Sequence, residues 1–69
     1  MKVQEWIEKA KADGTAQDFV VYANVGDDTD ELVVCTAEEA DNANAEIVDI
    51  MYVEHTQFFR TAVITAEVK

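Results

Sequence analysis

The sequence predicts one small α+β domain, in the order α-β-β-α-β-β, with a four-stranded, mainly antiparallel sheet and two helices on one face. Three observations predict it. Apolar residues near the start recur at helical spacing. A capping box sits in mid-chain, and four β-branched or aromatic runs are separated by turn residues. At 69 residues the chain makes a single domain, 1–69. Apolar residues form 49% of it, enough for one core and too many for a disordered segment. A domain this short buries only about 60% of the surface exposed by its unfolded chain, so modest stability is expected.

The first element follows from Val3, Trp6, Ile7 and Ala10, at i, i+3, i+4 and i+7, the stripe of a core-facing helix. Gly14 accepts the left-handed conformation that ends helices, which bounds this helix at about residues 2–13. Phe19 to Val25 reads as a strand, Gly26 to Asp30 as a turn, and Glu31 to Cys35 as the returning strand of a hairpin. Thr36 and Glu39 match an N-cap and its N3 acid. They open a short alanine-rich helix of two to three turns, with Ala37, Ala40 and Ala43 or Asn44 facing inward.

Glu46 to Glu54 fits either helix or strand. Its β-branched content and the alternation of Val48, Ile50 and Tyr52 favour a strand. His55 to Gln57 is then a turn and Phe58 to Val68 the last strand. On that strand Phe58, Ala62, Ile64, Ala66 and Val68 share one face, and Phe59, Thr61, Val63, Thr65 and Glu67 the other. The strand order, meander or shuffled, stays open.

Catalytic constellations are not legible. His55 and Cys35 are the chain's one histidine and one cysteine, they lie far apart in sequence, and no orienting group or oxyanion loop accompanies them. The expectation is a buried, inert Cys35, a solvated His55 and no enzyme activity. Two glycines cannot build a phosphate-cradling loop. The loop Asp27-Asp28-Thr29-Asp30-Glu31 is acidic, but it lacks the alternating ligands, central glycine and flanking helices of a calcium loop. No cofactor and no metal are therefore expected. A lone cysteine, and a charged amphipathic start in place of an apolar leader, point to the cytoplasm.

Charge carries the functional signal. Fifteen Asp and Glu oppose five Lys and Arg, a formal charge of −10. The bases are Lys2, Lys9, Lys11, Arg60 and Lys69, so the 48 residues from Ala12 to Phe59 hold twelve acids and no Lys or Arg. Such a surface repels nucleic acid and anionic membranes and attracts a basic partner. Three explanations compete. Acidity can serve solubility alone. It can be an adaptation to high salt, although four of the five bases are Lys, where Arg would be favoured. Or the carboxylates stand in for phosphates, since acids two apart on a strand or three to four apart on a helix have comparable spacing. The candidate contact residues are Asp27, Asp28, Asp30, Glu31, Glu38, Glu39, Asp41 and Glu46, with Asn42 and Asn44 as neutral hydrogen-bonding neighbours.

This profile of small size, acidity, absent catalytic residues and a compact hairpin-containing order resembles small phage-encoded DNA mimics. Within them it is most similar to anti-CRISPR proteins that block DNA loading on a surveillance complex. The resemblance covers the chain as a profile, so no residue role is carried over. It implies a stoichiometric, monomeric inhibitor in the host-cell cytoplasm, whose target is a basic DNA-binding protein or CRISPR effector complex. The alternative is a structural or interaction module that associates through its sheet, because a single helix layer leaves Phe59 and Val63 uncovered.

Overall fold

The computed structural model describes residues 2–26 and 30–68. It contains α1 (Val3–Asp13), β1 (Asp18–Ala23), β2 (Val33–Cys35), α2 (Ala37–Asn42), β3 (Glu46–Thr56) and β4 (Phe59–Glu67). The expected order of elements is therefore present. The four strands form one sheet in the order β2-β1-β4-β3. The outer pairings, β1–β2 and β3–β4, are antiparallel; the central one, β1–β4, is parallel. The sheet is thus two hairpins joined side by side, the first from the N-terminal half and the second from the C-terminal half.

The parallel join is closed at both ends by side-chain amides. The Gln17 backbone N–H donates to the Arg60 carbonyl at 3.1 Å, and the Arg60 N–H donates to Gln17 Oε1 at 2.9 Å. At the other end the Val68 N–H donates to Asn24 Oδ1 at 2.6 Å, and Asn24 Nδ2 donates to the Val68 carbonyl at 3.3 Å. An amide side chain offers the same donor and acceptor as a peptide group. Gln17 and Asn24 therefore extend the ladder by one step beyond each end of β1.

Both helices lie on one face. α1 contributes Val3 and α2 contributes Ala40 to a core whose sheet floor is Val21 and Ala23 of β1 and Ile64 and Ala66 of β4. Among the described residues ten apolar side chains are buried and seven of them are alanine, which lets helices and sheet approach closely but limits the apolar area removed from water. The larger side chains Trp6, Ile7, Phe19, Ile47 and Ile50 are only partly buried around that centre. Trp6 meets Phe19 edge to face, with centroids 6.1 Å apart, and Lys11 Nζ lies 5.8 Å from the Phe19 ring centre.

The helix ends follow their sequence signals. Gly14 has φ 72°, and Thr15 N–H and Gly14 N–H return to the carbonyls of Ala10 and Lys11. α2 opens with the capping box, where Thr36 Oγ1 accepts from Glu39 N–H and Glu39 Oε1 accepts from Thr36 N–H. It closes at Asn44, which takes φ 60°, with Ala45 N–H reaching Ala40 O. Asn is among the few residues other than glycine that adopt this conformation readily. The early close holds α2 to six residues.

Two expectations are corrected. The β3 face is Ile47 and Ile50, not Val48 and Ile50: a register shift between Ile47 and Asp49 inserts Val48 as an extra residue, which is 53% exposed. The turn lies at Gln57 and Phe58, so His55 and Thr56 belong to β3, and Phe58 is 80% exposed instead of sharing the core face.

The start of α1 has no local cap, since the Lys2 side chain makes none. Asp41 of α2 supplies it. Its Oδ1 accepts from Val3 N–H at 2.8 Å and its Oδ2 from Gln4 N–H at 3.1 Å, while the residue is 7% exposed. The carboxylate sits at the positive end of the α1 dipole and satisfies two orphan donors. Asp41→Ala is expected to cost about 2 kcal/mol in urea unfolding and Asp41→Asn about 1 kcal/mol, because an amide keeps one acceptor oxygen. Ile64→Val, at one of the two largest fully buried side chains, is expected to cost about 1 kcal/mol.

Candidate partner-binding surface

Strand direction decides where the acids gather. The C-terminal ends of β1 and β4 lie beside the N-terminal ends of β2 and β3. Asp30 and Glu31 precede β2 at that end, Glu46 opens β3 and Glu67 closes β4, and all four are exposed. Glu46 and Glu67 are cross-strand partners in the register, a like-charge opposition that weakens the pairing locally. Glu5, Lys2 and Glu46 also line the shallow cleft around the α1 start.

Glu38 and Glu39 are exposed on the first turn of α2, which follows Cys35 in the middle of the sheet. The chain between Glu31 and Glu38 runs through the three residues of β2, which carry it to the middle of the sheet, where Cys35 pairs with Val21. Of the eight candidate residues, Asp30, Glu31, Glu38, Glu39 and Glu46 are on the surface. Asp41 is buried under α1 and serves as its cap, so it is not part of a contact surface. Asp27 and Asp28 lie outside the described residues.

The sheet has a second exposed feature. Helices cover one face, and the other carries cross-strand rows of alternate residues. One row is Val34, Tyr22, Thr65 and Asp49; the next is Val20, Val63 and Met51; the third is Asp18, Thr61 and Val53. Val34 is 65% and Met51 62% exposed, so the apolar floor is open to water. Asp18 and Asp49, at the ends of these rows, were not singled out in sequence because which residues share a row depends on the strand order. The alternation of Asp49, Met51 and Val53 was the signal that could have found Asp49.

The polar side chains of this face form a chain of hydrogen bonds. Thr61 Oγ1 donates to Asp18 Oδ2 at 3.1 Å, and its oxygen accepts from His55 Nε2 at 2.9 Å. His55 also packs on Phe59, with centroids 5.5 Å apart. It is therefore held, where the sequence suggested a solvated turn. The order acid, hydroxyl, imidazole is wrong for nucleophilic catalysis. That chemistry puts the imidazole between hydroxyl and acid, and Thr61 here is 7% exposed.

Cys35 is half-buried at the sheet edge. Burial first, and the Glu39 carboxylate second, push its thiol above the usual range. At neutral pH it stays protonated and a poor nucleophile. Among the described residues no three of His, Cys, Asp and Glu converge to hold a metal ion. Also among the described residues, no helix is long and apolar enough to cross a membrane.

No protein family, no curated protein and no solved structure matches this chain. Its surfaces must speak for themselves. Alkylation of Cys35 by iodoacetamide is expected to be slow at pH 7.5 and to accelerate as pH rises. Glu39→Gln preserves the capping box and should speed the reaction severalfold by removing the neighbouring charge. Mass spectrometry over a time course checks both.

Proposed function

We propose that this chain is a non-enzymatic inhibitor that occupies the basic DNA-recognition surface of a nucleic-acid-binding complex by mimicking DNA. The specific role is that of an anti-CRISPR protein that blocks target DNA binding in the cytoplasm of a phage-infected cell. The observation that carries the reading is the long acidic block: twelve acids and no Lys or Arg from Ala12 to Phe59, with Asp13, Asp18, Asp30, Glu31, Glu38, Glu39, Glu46, Asp49 and Glu54 exposed.

Size supports the reading. The fold measures 37 × 20 × 16 Å, so its long axis spans about one turn of duplex, roughly 34 Å. A duplex of that length carries about 22 phosphates, against a net charge of −10 here. With under half the charge of the DNA it replaces, the protein competes through placement of its carboxylates on a rigid frame as well as through charge. A DNA-binding groove also gains entropy when its counterions are released to any polyanion of fitting shape. Solubility alone explains the net charge but requires no stretch of 48 residues without a base.

The test is displacement of labelled duplex DNA from purified type I and type II CRISPR effector complexes as the protein is titrated in. Near-stoichiometric displacement from one effector and not the others is expected. The triple variant Asp30→Lys, Glu31→Lys, Glu38→Lys spares the capping box and the Asp41 cap. It should keep its circular dichroism and lose displacement by at least 100-fold. Apparent affinity should fall more than tenfold between 50 and 300 mM salt. A folded triple variant that displaces DNA at the wild-type concentration rules the reading out.

A further inference from the structure

The open sheet face points to a second contact that acid mimicry does not use. We propose that this face docks a single cationic amphipathic helix of a partner protein. The apolar stripe of that helix lies on Val20, Val63 and Met51, and its bases reach Asp18 and Asp49.

Three observations fix the occupant. The first is incompleteness: a sheet with apolar side chains on both faces is stable in water with a layer on each, and here α1 and α2 supply only one. The second is size. Four strands about 4.8 Å apart and three rows about 7 Å apart give a patch of about 15 by 15 Å. That is well below the roughly 800 Å² per partner of a stable dimer interface. It matches one helix, about 10 Å across with its side chains.

The third is charge. The strand positions of this face carry Asp18, Asp49 and Glu67 and no Lys or Arg. A second copy would bring another charge of −10 against it, whereas a basic helix is attracted.

Register makes the proposal specific. Asp18 and Asp49 occupy opposite corners, two strands and two rows apart, or about 17 Å. At 1.5 Å per residue this distance is covered by about eleven residues of helix. The complementary helix therefore carries two bases about three turns apart, flanking an apolar stripe. Asp18 is already oriented for this by its hydrogen bond from Thr61.

The probe is a synthetic 15-residue helix with a leucine stripe and two lysines eleven residues apart, titrated into ¹⁵N-labelled protein. Shift changes are expected in Val20, Met51 and Val63, and not in α1. Met51→Lys, at a site already 62% exposed, should weaken binding at least tenfold with the fold intact. A peptide with glutamates in place of the two lysines should bind poorly to the wild type and recover at least severalfold with Asp49→Lys. Shifts confined to Asp30, Glu31 and Glu46, or Met51→Lys binding like the wild type, would overturn the proposal. So would peptide-free dimerisation that Met51→Lys abolishes, which would identify a second copy as the occupant. Met51 is not among the acids reversed in the DNA-displacement test, so either result can fail without the other.

Discussion

The parallel pairing of β1 with β4 is the constraint on which the rest of this structure depends. It joins two hairpins that would each be marginal alone, because a two-stranded ribbon with one apolar face has nothing to bury it against. Once β1 and β4 are paired, Val21, Ala23, Ile64 and Ala66 form one floor, and α1 and α2 have a surface to cover. The amides of Gln17 and Asn24 set where this pairing starts and stops. Register matters here more than elsewhere, since a slip of one residue would turn Ile64 to water and Thr61 into the core.

The same arrangement accounts for how a chain of such uneven charge stays folded. Repulsion among acids is limited by their spread over the surface: Asp30, Glu31, Glu46 and Glu67 stand at one end of the sheet, Glu38 and Glu39 on the first turn of α2, and Asp18 and Asp49 on the open face. Asp41 is turned inward, where it caps α1 through two backbone donors. Near the β3–β4 turn, Glu54 pairs with Arg60 at 3.2 Å, and that guanidinium also lies 5.2 Å from the Tyr52 ring centre. This pair is exposed and adds little stability, but it places one of the few cations of the chain beside the longest strand.

Local signals were legible in the sequence. The capping box at Thr36, the left-handed Gly14, the alternating faces of β4 and the α1 stripe needed only neighbours in the chain, and each is present as expected. What could not be read depends on partners far away. Asp41 looked like one more surface acid, because its role is defined by Val3 and Gln4, 38 and 37 residues distant. The β3 bulge was hidden because Ile47, Val48 and Ile50 are all β-branched, so alternation could be counted from either of the first two. The parallel join was hidden because β1 and β4 carry the same apolar alternation they would show in an antiparallel sheet. Strand order also decides which acids meet, placing Glu46 opposite Glu67, so the candidate residues could not be grouped beforehand.

A central strand that follows the other three in the chain has a consequence for synthesis. As the chain leaves the ribosome, α1, both strands of the first hairpin, α2 and β3 are all available before β4. Without β4, however, β1 and β3 have no neighbour in common. Nothing resembling the core exists until Glu67 has cleared the exit tunnel, and then all of it can form at once. A chain that stops before β4 holds no native sheet beyond one short hairpin and is open to proteases.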